Sequence, residues 1–327
     1  MKSYHKILPF IALLSLAACQ VDLTVPLPEH TQRIVLNSFL DQNANPTVYL
    51  SRSYGPLEDP QKTLFELHEG SLELFANGSS VGQLVYQDTT VEFFSINGQL
   101  QDRRIGRYIL PNYQPEPGTL YEIRASHEGY EDVRAETQMV SAVEFSDFVL
   151  EENVKRETDI DGFTTSQSLF KLKIQDQAGE KNYYRLSVRM KYESVWEPGF
   201  FYWEDLYGLQ GPVDGVDNSG AYTATEVWLS DEGMDGELID ASFLAYLPNA
   251  YEDPSLLQPL NIDSMYVTLL TANEDAYQYT RKLKQQRDVG DFSIPIFPPE
   301  SIVVYDNIEN GYGIWGVMSR KKVLVLP

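Results

Sequence analysis

The chain has 327 residues, 25 basic against 48 acidic side chains for a formal net charge of −23, and a single cysteine. That length supports about two domains with their own cores, and 21 tyrosines, 15 phenylalanines and four tryptophans supply the apolar area of an ordered protein. So acidic a body repels phosphate backbones and excludes nucleic acid as a partner, and one thiol excludes a disulfide framework.

Lys2 and Lys6 form a basic start, residues 7–17 (ILPFIALLSLA) an apolar run, and Leu16-Ala17-Ala18-Cys19 ends it with small residues before the cysteine. This is the form of a bacterial lipoprotein signal peptide over 1–18, too short to span a bilayer, which takes roughly 20 residues. A Cys19 thiol linked to diacylglycerol, with its amine carrying a palmitate-type acyl chain, anchors a protein stably to a membrane. The plainer alternative is Cys19 as a small apolar residue in an ordinary signal peptide. Residues 19–32, with Pro26 and Pro28, read as a lipidated tether. Gln20 rather than Asp follows the cysteine, which in a Gram-negative cell favours the outer membrane and leaves periplasmic and extracellular placement both open.

From residue 33 the pattern has period two. RIVLNSFLD (33–41), TVYLSRSY (47–54), SLELFANG (71–78), VGQLVYQD (81–88), RIGRYILP (104–111) and LYEIRASHEGYEDVRAETQMV (120–140) alternate apolar and polar residues between turn formers. Asn77-Gly78 and Glu128-Gly129 mark hairpins. Short strands at this spacing predict an N-terminal immunoglobulin- or transthyretin-like β-sandwich over 33–140.

Residues 141–327 predict a second, antiparallel β domain. Its strands are VEFSDFVLEE (143–152), SLFKLKIQD (168–176), NYYRLSVRMKYE (182–193), TEVWLSD (225–231), LIDASFLAYLP (238–248) and MYVTLLTAN (265–273). EDAYQYTRKLKQQR (274–287), with acids first, bases last and Asn273 as N-cap, reads as the one helix. SIVVYDN, GIWGVMS and KKVLVLP pair as terminal strands. The whole chain is mainly β.

Candidate chemistry is sparse. His5 lies in the signal peptide, His30 in the tether, and His68 and His127 in separate loops, with no metal-ligand spacing and no GxSxG elbow. No cofactor, catalytic residue or metal site is expected. Asp214 to Gly220 and Asp231 to Glu237 place acids three or four apart around glycines, as hard-cation loops do. Thr225 and Ser242 stand at the twelfth positions, and turn formation accounts for the same residues.

Trp196, Phe200, Phe201, Tyr202, Trp203 and Tyr207 crowd one glycine-bounded stretch. On a loop, Phe200, Tyr202, Trp203 and Tyr207 form a platform for sugar rings, peptides or a partner's surface. On a strand, alternation sends Phe201 and Trp203 inward and Phe200 and Tyr202 onto a second packed layer.

Pro298 and Pro299, Val303 to Tyr305, Asn307-Ile308-Glu309-Asn310-Gly311 and Gly313-Ile314-Trp315-Gly316 follow the helix. Together with LPEHTQRIVLNSFL, VYLSRSYG and SDEGMDG (230–236), they give the mature chain a layout that resembles the Bacteroidota outer-membrane lipoproteins of domain-of-unknown-function family number 4249. The family often carries Gly where Glu309-Asn310 stands. The resemblance implies a cell-surface or outer-membrane lipoprotein encoded beside a TonB-dependent receptor, and it supplies no mechanism. Two functional classes follow: a non-enzymatic accessory or ligand-capture protein of a TonB-dependent transport system, its small-molecule or glycan ligand unspecified, or a surface adhesin or structural lipoprotein. An acid-dependent hydrolase is a distant third.

Overall fold

Alternation in sequence becomes alternation of burial: along residues 34–40, Ile34, Leu36 and Leu40 are fully buried while their neighbours face outward. The computed structural model describes residues 30–55, 58, 66–94, 100–158, 164–194, 197–210, 225–247, 261–291 and 303–326. Cys19, the tether before His30, Trp196, the 214–220 loop and Pro298 and Pro299 lie outside them. Among the described residues no helix is long and apolar enough to cross a membrane. The fold is mainly β.

The first eight strands are β1 (Ile34–Leu40), β2 (Thr47–Arg52), β3 (Ser71–Ala76), β4 (Ser79–Gln83), β5 (Val85–Phe94), β6 (Leu100–Ile109), β7 (Leu120–Ser126) and β8 (Val133–Gln138). β1-β2-β6-β5 form one end of a nine-stranded sheet that continues through the last strand of the chain, and the sheet facing this end is β4-β3-β7-β8. Leu36, Leu50, Leu74, Tyr108, Tyr121 and Ile123 fill the space between them. Both marked hairpins are present. Asn77 (φ 47°) and Gly78 (φ 77°) turn β3 into β4, and Gly129 (φ 88°) sits in the β7–β8 turn.

The second half contributes β9 (Phe145–Thr158), β10 (Thr164–Gln175), β11 (Tyr183–Glu193), β12 (Phe201–Asp205), β13 (Tyr207–Gln210), β14 (Val227–Ser230), β15 (Leu238–Tyr246), β16 (Ile262–Ala272), α1 (Glu274–Asp291) and β17 (Tyr312–Leu326). Sheet β13-β15-β10-β9 faces sheet β12-β11-β16-β17, with β14 beside β11. Phe170 and Phe243 stack at 5.2 Å in this second core, against Leu186, Val188, Met190, Val267 and Leu269.

The final strand serves both halves. Tyr312 to Val317 pair with Val35 to Leu40 in parallel, whereas Met318 to Leu326 pair antiparallel with Ala272 to Met265. GIWGVMS and KKVLVLP are therefore one 15-residue strand and not two. Trp315, fully buried, belongs to the first core and donates its indole N–H to the Tyr121 carbonyl at 3.2 Å. Residues 303–307 of SIVVYDN form no strand; there the Asn307 side chain, not a strand, meets the main chain of β17. The connection near Val140 is tied on both sides. Ser319 Oγ donates to the Val140 carbonyl at 3.0 Å, and the Val143 amide donates to Thr271 Oγ1 at 3.2 Å.

Helix α1 starts where expected. Asn273 Oδ1 accepts from the Ala276 amide at 3.1 Å, the N-cap bond, and also from the Val317 amide at 3.2 Å. The helix runs to Asp291, one turn past the predicted end, so Lys282, Lys284 and Arg287 precede the last turn and no base occupies it. It bridges the two halves. Tyr277 stacks on Tyr183 at 4.1 Å, and Tyr279 meets Phe39 edge-on at 6.1 Å and donates to Asn37 Oδ1 at 3.3 Å. A side chain on Gly316 would stand only 3.1 Å from the Ala276 Cβ, so glycine there lets the helix lie close on β17.

Candidate functional site: an aromatic and cationic sheet face

The aromatic stretch is an edge strand. Among the described residues β12 pairs with β11 alone, and Tyr192 stands opposite Tyr202, with Lys191 opposite Trp203. Its entry turn is fixed by Glu193. That carboxylate accepts from Asn261 Nδ2 at 2.6 Å and from the Gly199 amide at 2.6 Å, contacts that hold it below the usual carboxylate range, Asn261 contributing most.

The strand leaves its aromatic side chains largely unburied. Phe200 is 64% exposed, and Phe201, Tyr202 and Trp203 are 44–46% exposed. Alternation holds, but each side of β12 opens to solvent. Tyr202 lies near Tyr192 (ring centroids 6.5 Å) and donates to Glu197 Oε2 at 2.6 Å. Tyr192 donates to Glu204 Oε2 at 2.9 Å, and burial, reinforced by that carboxylate, pushes its phenol up to about 12.

Phe201 and Trp203 lie on the outer face, among cations of β11 and β17. Lys191 Nζ stands 5.1 Å from the Phe201 ring centre, the Arg189 guanidinium 5.6 Å from that of Trp203, and Lys322 Nζ 4.2 Å from that of Tyr266. Trp203 and Tyr266 themselves approach to 5.7 Å. Lys191 pairs with Asp263 at 3.0 Å and Arg189 with Asp205 at 3.7 Å. The charged groups of Lys322 and Arg320, both exposed, form no ion pair among the described residues, although the Arg320 amide donates to Asp41 Oδ1 at 3.5 Å. Arg185, ion-paired with Glu226 at 3.2 Å, is held below the usual guanidinium range by burial first; Glu226 opposes the shift and the charge of Arg320 adds to it.

Of the four residues singled out in the sequence, only Trp203 lies on this outer face; Tyr202, opposite Tyr192, is on the other side of β12, and Phe200 precedes the strand. Tyr207 leaves the strand altogether. The chain crosses between sheets at Leu206, fully buried, and Tyr207 enters β13 of the opposite sheet. Phe201, Arg189, Lys191, Tyr266 and Lys322 complete the face. Arg189, Lys191, Tyr266 and Lys322 show no sequence signal beyond the solvent phase of period-two runs, whereas Phe201 belongs to the aromatic stretch, and it and Trp203 face outward instead of inward as strand alternation predicts.

The other candidates resolve into structure. Asp231 Oδ2 accepts from the Asn182 amide at 2.6 Å, Asp235 Oδ1 from the Gly179 amide at 2.7 Å, and Asp176 Oδ2 from the Gly236 amide at 2.7 Å. These acids lace two turns together. The Asp214 loop lies outside the described residues. Ser53 Oγ contacts His30 Nε2 at 3.1 Å and accepts from the Arg33 amide at 3.0 Å, and no carboxylate among the described residues completes a triad with them.

Two all-β sandwiches sharing one strand, with an aromatic and cationic face on the second, define the class of architecture. Within it, the family described as "Domain of unknown function (DUF4249)" matches residues 21–323, and the chain belongs to that family. No curated protein matches the chain.

Proposed function

We propose that the protein is a lipid-anchored outer-membrane lipoprotein, attached through Cys19 and exposed at the cell surface, that captures a ligand for a TonB-dependent transport system without catalysing a reaction. The observation that carries this reading is the run Phe200 to Trp203 at and along β12, whose four aromatic residues are between 44% and 64% exposed. Exposed aromatic surface of this kind marks contact sites.

The layout of the molecule agrees with it. The chain enters β1 beside Tyr312, while the aromatic face surrounds Lys322 on the same final strand. Ten residues of strand separate those positions, roughly 33 Å at about 3.3 Å per residue. A tether joined at the Ile34 end leaves this face about a strand's length from the point of attachment.

Affinity purification of the native lipoprotein from detergent-solubilised outer membrane tests the reading. A β-barrel receptor recovered in stoichiometric amount supports it. Recovery of the lipoprotein alone refutes it in favour of an adhesin or structural lipoprotein.

A further inference from the structure

The face around Trp203 also carries a signature of ligand chemistry. Across the outer surface of β12-β11-β16-β17, rings and cations alternate: Phe201 with Lys191, Trp203 with Arg189, Tyr266 with Lys322. Four strands at about 4.8 Å make this surface roughly 14 Å across. The chain as a whole carries −23, yet on this face the charged groups of Arg320 and Lys322 form no ion pair among the described residues.

Resting on the capture reading above, we infer that this face binds short oligosaccharides bearing carboxylate or sulfate groups. The Trp203 ring, 46% exposed and backed by Tyr266 at 5.7 Å, offers flat apolar surface to the C–H face of a sugar ring. Lys322 and Arg320 meet the acidic substituents, Arg320 with a planar fork that matches a carboxylate or sulfate. The cationic surface is local and the body around it acidic, so long polyanions are repelled and a short acidic ligand is favoured. A neutral sugar would leave the two cations without counter-charges.

The test is an array of oligogalacturonate, alginate and chondroitin sulfate oligosaccharides beside neutral malto- and xylo-oligosaccharides, probed with the full chain in detergent. Binding to carboxylated or sulfated members and none to the neutral ones is expected, weakening as salt rises. Trp203→Ala and Lys322→Glu should each weaken binding at least tenfold with unchanged circular dichroism. Both side chains are exposed, so the variants fold. No binding to any acidic member, equal binding to neutral ones, or binding indifferent to both substitutions overturns the inference. Uronate and sulfate arms separate the two acidic chemistries. A negative array with a co-isolated receptor removes this inference alone, whereas a positive array without a receptor removes the transporter reading and leaves the ligand.

Discussion

Asn307 holds the main chain of Trp315 as a neighbouring strand would. Its Oδ1 accepts from the Trp315 amide at 2.9 Å, and its Nδ2 donates to the Trp315 carbonyl at 2.9 Å. One side chain thus occupies the ladder position beside the first half of β17, where β16 has already given way to α1. Asn307→Ala leaves both groups of a buried residue without partners, and such losses cost about 1–3 kcal/mol each. Urea denaturation should show a midpoint lowered accordingly. Asn307→Asp keeps the acceptor and should fall between the two.

Gly313 lies where β17 first meets β1. Its φ is +112°, and a Cβ built there would stand 2.0 Å from the Leu36 carbonyl oxygen. Both the conformation and the contact reject any side chain. Gly313→Ala should disrupt the parallel β1–β17 pairing and, through Trp315, loosen the first core. The expected result is a cooperative loss of stability, read by thermal melting, with hydrogen exchange fastest over residues 34–40.

Asp231 titrates against the fold. Burial raises its carboxyl above the ordinary 3.8, with Asp176 adding to the rise and the Asn182 amide opposing it. Between 3.8 and the raised value the folded state keeps a proton that the unfolded chain has lost. This residue's contribution therefore makes stability fall as pH rises through that window. Asp231→Asn removes the titration, so the wild-type minus variant difference should decline with rising pH there. A difference that grows with pH would contradict the assignment. Glu309, held below the ordinary 4.5 chiefly by its hydrogen bond to Arg134, acts oppositely, its support being lost as pH falls.

The aromatic strand separates binding from stability. Phe200 and Tyr202 are 64% and 44% exposed, and Tyr202 gives up an exposed bond to Glu197 and a tilted contact with Tyr192 at 6.5 Å between ring centres. The double variant Phe200→Ala, Tyr202→Ala should weaken receptor or ligand association while stability stays within about 1 kcal/mol of wild type. A large fall in melting temperature with unchanged binding would sink the claim.

Strand phase and both hairpins were legible because their causes are local: side chains alternate along a strand, and Asn77-Gly78 accepts positive φ. The cap at Asn273 was legible for the same reason. The double membership of β17 was not, since its partner β1 lies some 275 residues earlier in the chain and leaves no local mark. The candidate site divides along the same line. Adjacency in sequence exposed Phe200, Tyr202 and Trp203, but it also drew in Tyr207, which the turn at buried Leu206 sends to another sheet. Tyr266 and Lys322 join the site only through pairing of β16 with β11 and β17.

Photo-crosslinking in intact cells tests the contact claim most directly, with Phe200→p-benzoylphenylalanine on the aromatic strand and Val149→p-benzoylphenylalanine on β9 of the opposite sheet as the control. Val149 is 45% exposed, so both probes reach solvent. The account predicts a discrete adduct with a β-barrel receptor from position 200 and none from position 149. No adduct from position 200, or the same adduct from both, would contradict it.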